Sequence, residues 1–233
     1  MCIARRALLP LLCGILLLFA SCGSPTTAVN TGIPADAAHP TPVDHTFHGC
    51  PPTGDGGDTQ LNVRKNRVDD GESGSYHDVA MATILALTWP QDIERTNRAN
   101  WSASDAAAVA QDEGIAVRVT GYIAGVKHEG TESTNCHDVD NRDFHVWLVA
   151  QPGDDRSKSV VVEVTPRVNA LRAGWTSSAL SGMVGKQVRI SGWLMMDQEH
   201  PEQIGQTRAT LWEVHPILHI EENSNGSWTS IDS

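Results

Sequence analysis

Residues 144–166 read FHVWLVAQPGDDRSKSVVVEVTP and place two short apolar stretches on either side of a turn. The stretches at 144–149 and 159–165 are rich in β-branched and aromatic residues, which favour strands, and the GDD between them is typical of a turn. Pro166 lacks a backbone N–H and therefore ends the second stretch. The segment predicts two consecutive β-strands.

Three further stretches have the same character, at residues 115–123, 186–194 and 208–217. The third and fourth strands are separated by residues 168–184, which we expect to form a helix or an irregular connection. Three strands, a helical crossing and two more strands is the order of the OB-fold, a small five-stranded barrel. Gly121 and Gly192 lie inside strands one and four, where a small barrel needs sharp coiling. A generic five-stranded sandwich is the alternative.

The regions on either side of the barrel have a different composition. Helical periodicity at 78–88, 92–98 and 104–112 predicts a helical N-terminal extension over residues 47–112. The barrel itself is expected over 113–222, so the fold class is mainly β, and α+β overall. The Asn- and Ser-rich tail at 223–233 is expected to be disordered.

The start of the chain has the features of an export signal. Two arginines precede an apolar run at 7–19, which is too short to span a bilayer, since a span needs about 20 residues. The sequence FASC at 19–22 resembles a bacterial lipobox, whose cysteine is acylated. We predict a lipoprotein signal peptide over 1–21, a lipidated Cys22, a flexible tether over 22–46 and membrane attachment in the bacterial cell envelope. An ordinary cleaved signal peptide is the alternative.

Export makes the cysteines informative. Cys2 and Cys13 would leave with the signal and Cys22 would carry lipid, so only Cys50 and Cys136 remain. Two thiols in an oxidising compartment most simply pair, and the disulfide would close a loop of 86 residues. Chain entropy gives such a crosslink about 4.5 kcal/mol. Two free buried thiols are the alternative.

Composition excludes several classes of protein. The chain has 233 residues, with 17 basic and 28 acidic side chains and a net charge of −11. Without its first 22 residues, which hold two arginines and no acid, the balance is 15 against 28, or −13. Such an acidic body disfavours nucleic acid as a partner, because phosphate binding needs clustered Lys and Arg. A hydrophobic content of 40% excludes general disorder.

The sequence resembles a set of uncharacterised bacterial exported proteins that end in a WEIHP-type strand. The resemblance is carried by ESTNC (132–136), DFHVWL (143–148), EVTPR (163–167), GWLMMD (192–197) and RATLWEVHP (208–216). The stretch at 54–67 is similar to the segment that precedes the same domain in that set. The resemblance implies an OB-like fold and no particular activity.

Strand parity sorts the barrel side chains into two faces, since successive residues point to opposite sides. Phe144, Val146 and Leu148, with the alternate valines of the third strand, are expected inside the barrel. The opposite parity forms an outer face, and in OB-folds the outer face of strands two and three commonly binds ligands. The candidate binding or catalytic residues on or near it are His145, Trp147, Glu163, Arg167, Arg189, Trp193, Asp197, His200, Arg208, Glu213 and His215. Strand five is ambiguous, because either Glu213 and His215 or Trp212 and Val214 could face that side.

A different arrangement is equally consistent with this pattern. The N-terminal segment could pack on the outer face, which would make the tryptophans core residues and the charged side chains buried ion pairs. The positive run at 64–67 is expected to be solvated.

Three functions follow from these residues. The first is a lipid-anchored module that binds an envelope ligand or protein through the outer face of strands two and three. The second is a metal-dependent hydrolase of the phosphodiesterase type that uses His145, Glu163, Asp197, His200 and His215, because imidazole and carboxylate groups bind divalent metals. The third is a structural spacer. No cofactor other than a divalent metal is a candidate. The loop at 137–145 and the group Asp197, Glu199 and His200 are the acidic and histidine clusters that suggest one.

Overall fold

A computed structural model describes residues 46–70 and 75–232. The predicted signal peptide, the predicted lipidation site Cys22 and the predicted tether up to residue 45 lie outside the described residues. Within the described ranges, no helix combines the length and the apolar character that crossing a bilayer requires.

In the part of the chain that the structure describes, seven strands form one sheet that closes on itself. They are β1 (His77–Val79), β2 (Ala116–His128), β3 (Phe144–Val149), β4 (Val160–Val164), β5 (Gln187–Met196), β6 (Trp212–Ser224) and β7 (Ser227–Ser230). The order β2-β3-β4-β6-β5 is closed by pairing of β2 with β5. Strands β4 and β6 run parallel at Val162 and Val214, and the other barrel pairs are antiparallel. This is OB-fold topology, so the predicted fold class is confirmed and the open sandwich is not observed.

The barrel core consists of the residues that strand parity predicts. Val146, Leu148, Val162 and Ile190 belong to one apolar cluster and are at most 1% exposed. At Gly192 the chains approach closely, because an added Cβ would lie 2.3 Å from the carbonyl oxygen of the residue before Ile217. The pairing of β5 with β6 shifts register at this position, and only glycine leaves the space for it.

The N-terminal extension contains short helices and irregular chain. The helices of the described residues are α1 (Thr59–Lys65), α2 (Met81–Leu85), α3 (Ala103–Val109), α4 (Pro166–Asn169) and α5 (Ser177–Ser181), with 3-10 turns at Gln91–Ile93, Arg98–Asn100, Ser133–Asn135, Arg156–Lys158 and Pro201–Gln203. The predicted helix over 78–88 was wrong at its start, because residues 77–79 pair with β2 as a parallel strand. The predicted helix over 92–98 is replaced by two 3-10 turns, and the one over 104–112 is shorter.

Helix α1 lies where the Gly- and Asp-rich sequence indicates only turns. Asp58 starts it as an N-cap, since its Oδ1 accepts hydrogen bonds from the backbone N–H of Gln60 at 3.0 Å and of Leu61 at 3.1 Å. The buried Leu61 anchors the helix on the barrel. A capping aspartate before a single apolar anchor is a weak signal, which explains why the pattern alone does not reveal this helix.

The C-terminal prediction was also wrong. The last barrel strand begins at Trp212 and not at residue 208, and it continues to Ser224. Asn225 and Gly226 then turn with positive φ into β7, and Asn-Gly is the pair that favours such a hairpin. Residues 223–232 are therefore ordered rather than a disordered tail.

Candidate functional site

The strap, defined as residues 50–70, lies across the outer face of the barrel. The Arg167 guanidinium, just after β4, donates hydrogen bonds to the carbonyl oxygens of Cys50 at 2.9 Å and Pro51 at 3.0 Å. The Trp193 indole in β5 donates to the carbonyl of Asp69 at 2.9 Å. The outer face is therefore not an open platform, and the arrangement in which the N-terminal segment packs on it is the one observed.

The predicted disulfide fixes one end of the strap. Cys50 and Cys136 are joined, which confirms the pairing. The side-chain amide of Asn66 adds hydrogen bonds of 2.9 Å to the carbonyls of Pro52 and Thr134. The strap is thus held to the segment before β3 by a covalent bond and by polar contacts.

Beneath the strap lies a group of charged side chains that we call the buried ionic cluster. Its members are Lys65, Asp143, His145, Glu163, Asp197, His200, Arg208, Glu213 and His215. His200 is 29% exposed, and every other member is at most 4% exposed. The structure settles the ambiguity of the last strand, since Glu213 and His215 face this cluster whereas Trp212 and Val214 belong to the apolar core.

The cluster begins as two histidines that share one carboxylate. The Nε2 atom of His145 contacts Glu163 Oε1, and His215 Nδ1 lies 3.0 Å from Glu163 Oε2. His215 Nδ1 is also 3.3 Å from Glu213 Oε2. These positions follow from the sheet, because His145 pairs with Glu163 across β3 and β4 and the neighbours Val162 and Val214 pair across β4 and β6.

The ion pairs continue from Glu213 through Arg208 to Asp197, which follows the end of β5. Arg208 Nη1 lies 2.5 Å from Glu213 Oε1 and 3.2 Å from Asp197 Oδ2, and His200 Nδ1 lies 2.6 Å from the same Asp197 oxygen. Lys65 of the strap adds a cation, with its Nζ 3.3 Å from Glu199. A continuous series of ion pairs therefore runs from β3 across β4 and β6 to the segment that follows β5.

Burial and close charges shift the pKa values of these groups. Burial alone would lower the pKa of His215, but Glu163 and Glu213 outweigh it and raise this pKa to about 10. Burial would raise the pKa of Glu163, and the two histidines lower it well below the usual range. Burial, together with Glu132 and Glu163, raises the pKa of Asp143 to about 7. Burial would lower the pKa of His200, but Asp197 raises it to about 9.

Seven of the predicted candidates meet in the cluster, and four do not. The seven are His145, Glu163, Asp197, His200, Arg208, Glu213 and His215. The other four make contacts elsewhere. The rings of Trp147 and Trp193 lie under the guanidinium groups of Arg156 and Arg67, respectively. Arg167 donates to the strap backbone, and Arg189 donates to Glu221. Trp147 and Trp193 are 5% and 9% exposed, so neither offers a stacking surface.

Sequence reasoning missed the cation that the strap contributes. Lys65 and Arg67 belong to a run expected to be solvated, yet they are 3% and 9% exposed. Arg64 Nε lies 2.8 Å from Glu113 and Lys65 Nζ lies 3.3 Å from Glu199, so this basic run pairs with carboxylates of the same chain. The excess of acidic residues in the barrel sequence was the available signal that a basic run would find partners there.

One part of the cluster has the composition of a metal site. One ligand atom from each of Asp143, Glu163 and His215 lies within 4.8 Å of the others, and all three residues are buried. The other acidic and histidine group proposed from the sequence is already paired, because Asp197 contacts His200 and Arg208.

A second polar feature, the Arg118 groove, lies open on the surface. It consists of two clefts of about 410 Å³ and 300 Å³, and Arg118 of β2 lines both. Tyr76 lines the smaller cleft and Trp228 lines the larger one. Each cleft is therefore lined by one aromatic ring and by the shared guanidinium of Arg118.

The charged groups of the groove are paired with one another. Arg118 Nη1 is 3.7 Å from Asp78, and Arg189 binds Glu221 through two hydrogen bonds of 2.7 and 2.6 Å. His219 Nδ1 lies 2.6 Å from Asp232 Oδ2, and both residues line the smaller cleft. Acidic and basic groups are mixed along the groove, so it does not present the uniform positive field that a polyanion needs.

Comparisons with known proteins add little to this geometry. No protein-family model matches the chain, and no curated protein matches it. Among solved structures, that of yeast Stn1 and Ten1 is similar, with 15% sequence identity, a TM-score of 0.35, and coverage of 78% of this chain and 77% of that chain. The fold assignment rests on the strand order and register.

Proposed function

We propose that the protein is a lipid-anchored module of the bacterial envelope that binds a saccharide in the Arg118 groove. The export signal, the lipobox-like FASC sequence and the disulfide between Cys50 and Cys136 support an extracytoplasmic location. The Arg118 groove replaces the outer face of β3 and β4 as the binding surface, because the strap covers that face.

The observation that carries the proposal is the pair of aromatic rings beside mixed charges in an open groove. Tyr76 and Trp228 are partly buried, and each lines one of the two clefts that share Arg118. The Arg189 guanidinium lies 4.7 Å from the centre of the Trp228 ring, so a sugar would pack on the part of that ring which Arg189 leaves open. Aromatic rings pack against the apolar faces of sugars, and paired carboxylate and guanidinium groups hydrogen-bond to neighbouring hydroxyls. Four carboxylates line the groove against two arginines and one histidine, and this acidic excess disfavours a polyanion.

The hydrolase hypothesis receives less support. It requires substrate and water to reach His145, Glu163 and His215, and these residues are at most 4% exposed under the strap. A catalytic metal site keeps an open coordination position. The geometry therefore favours binding over hydrolysis.

Binding is tested with the full-length chain, purified in a polyoxyethylene detergent that contains no sugar headgroup. Calorimetric titration would use tetrasaccharides of glucose and of N-acetylglucosamine, with single-stranded DNA at low salt as a comparison probe. Arg118→Ala should weaken saccharide binding at least about tenfold, or 1.4 kcal/mol. The matched control is Arg142→Ala, an exposed arginine outside the groove.

Three results would contradict the proposal. Folded protein that binds neither tetrasaccharide at millimolar concentration would favour a spacer. Tighter binding of single-stranded DNA than of either sugar would mean that the ligand is a nucleic acid despite the negative net charge. Equal loss in Arg118→Ala and Arg142→Ala would place the site elsewhere. The anchor is tested separately, because mass spectrometry should find acyl chains on Cys22 and Cys22→Ala should leave the membrane fraction.

A further inference from the structure

Three neighbouring buried residues each have a polar atom without an ordinary hydrogen bond. Within residues 46–70 and 75–232, Asp143 Oδ2, Glu163 Oε2 and His215 Nε2 have no hydrogen-bond partner of normal geometry. Glu163 Oε2 is 3.0 Å from His215 Nδ1 but not in the direction that a hydrogen bond needs. The large majority of buried side-chain polar atoms are satisfied in folded proteins, so unsatisfied atoms on three neighbouring residues require an explanation.

We propose that Asp143, Glu163 and His215 bind one transition-metal dication, best matched by Zn²⁺, as a structural centre. A ligand atom of each residue lies within 4.8 Å of the other two, so small side-chain movements would bring them to the separation of about 3.4 Å that ligands have around a tetrahedral zinc ion. One imidazole nitrogen and two carboxylate oxygens suit zinc and its neighbours, whereas calcium and magnesium prefer at least six oxygen ligands.

The charge of the surroundings also favours a cation. With the histidines neutral, as ligation by His215 requires, the carboxylates buried there outnumber the cations: Asp143, Glu163, Asp197 and Glu213 stand against Lys65, Arg167 and Arg208. Glu129 and Glu132 add further negative charge at 16% and 27% exposure. Buried charges require compensation, and a bound dication supplies it without further side chains.

The proposed ligands are held in place before any metal binds. Glu163 and His215 follow residues that pair across β4 and β6, and Asp143 directly precedes β3. The side chain of Asn135 donates to Asp143 Oδ1 at 2.7 Å, which directs Oδ2 away from that contact. An ordered outer partner of this kind is typical of metal ligands.

Enclosure makes the centre structural rather than catalytic. Asp143, Glu163 and His215 are 1%, 3% and 0% exposed, so substrate has no contact with them. The metal would join β4, β6 and the segment before β3 at the place where the strap crosses them, and a water molecule enclosed with it would complete a tetrahedral shell.

The first test measures metal in the full-length wild-type chain, purified with a tag free of histidine and without chelators. Plasma mass spectrometry should find about one zinc per chain. Removal by dipicolinate should lower the thermal midpoint, and Zn²⁺ should restore it. Replacement by Co²⁺ should give the visible absorption of a tetrahedral ion, without the ultraviolet band of a thiolate ligand, because both nearby cysteines are in the disulfide.

The second test uses matched substitutions. Asp143→Asn keeps the shape of a ligand and should lower Zn²⁺ affinity at least about 100-fold, since loss of an outer partner alone weakens metal sites 10- to 100-fold. Asp140→Asn makes the same change at an exposed position of the same loop and should leave affinity unchanged.

The wild-type measurements decide the question even if Asp143→Asn does not fold. Folded wild-type protein that arrives without metal and binds no Zn²⁺, Co²⁺ or Mn²⁺ at about 100 μM would overturn the proposal. Protons on the two histidines would then balance the carboxylates. Unchanged affinity in folded Asp143→Asn would equally remove Asp143 from the site. None of these results bears on saccharide binding in the Arg118 groove.

Discussion

Reduction of the disulfide between Cys50 and Cys136 is expected to lower the free energy of unfolding by about 4.5 kcal/mol. The bond joins the strap to the segment before β3 across 86 residues of chain. Without it, the unfolded chain gains the freedom that the closed loop removes, while the folded contacts of the strap persist. The loss therefore acts chiefly through the unfolded state.

The size of the effect follows from the loop length. The entropy of closing a loop of 86 residues is about 15 cal/mol/K, which is about 4.5 kcal/mol at 25 °C. For a domain of this size, each kcal/mol shifts the thermal midpoint by about 2–4 °C. The expected decrease on reduction is therefore about 9–18 °C.

The assay compares thermal unfolding by circular dichroism with and without a phosphine reductant. The double variant Cys50→Ala/Cys136→Ala is the control, because it should already unfold at the lower temperature and should not respond to the reductant. Thiol labelling and mass spectrometry would verify that the wild-type bond has opened.

Two results would refute this reasoning. A midpoint that moves by less than about 3 °C, with both thiols shown to be free, would mean that chain entropy does not govern the effect. A double variant that still responds to reductant would mean that another disulfide is present.

Three substitutions test other contacts in the described residues. Arg98→Ala should lower stability in urea by about 3 kcal/mol, because Glu113 loses two buried hydrogen bonds of 2.7 Å; a loss below about 1 kcal/mol would contradict this. Gly192→Ala should lower the free energy of unfolding by about 1–3 kcal/mol, since its Cβ would lie 2.3 Å from a carbonyl oxygen. Gly130→Ala is the control, because its Cβ would meet nothing within 4 Å, and equal effects of the two substitutions would contradict the close approach at Gly192. Hydrogen bonds to Asp232 and Asp70 raise the pKa of His219 in the folded protein. Protonated His219 therefore stabilises the fold fully below pH 6.5, the unfolded pKa, and this stabilisation is lost as pH rises through the folded pKa. His219→Gln should remove this pH dependence, and an NMR titration that finds the wild-type pKa at or below 6.5 would disprove it.

The barrel could be predicted because its strands carry their own signal. The valines of β4 and the alternating residues of β3 favour strands wherever they lie, and the order of strands and helices then indicates one topology. The N-terminal extension carries no comparable signal. Residues 77–79 become a strand only because β2 offers an edge, and α1 depends on one capping aspartate and one buried leucine.

The sequence predicted seven members of the buried ionic cluster and left their burial undecided, and of the residues that line the Arg118 groove only Arg189 was among the candidates. Strand parity correctly placed His145 and Glu163 on the same face, because alternation is a local property of the backbone. Whether that face meets solvent depends on the strap, whose nearest residue is about 75 positions away along the sequence. The backbone pattern of one segment contains no information about such a distant partner.

The charges under the strap serve to select one docking position rather than to supply stability. Desolvation of a buried ion pair offsets most of its attraction, so the ionic contacts contribute little beyond what apolar side chains of the same volume would contribute. A displaced strap would, however, separate Lys65 from Glu132 and Glu199 and remove one cation from beside Asp197, and a buried charge without compensation is costly. The disulfide and the buried Leu61 therefore hold the strap on the barrel, while the ionic cluster determines where it sits.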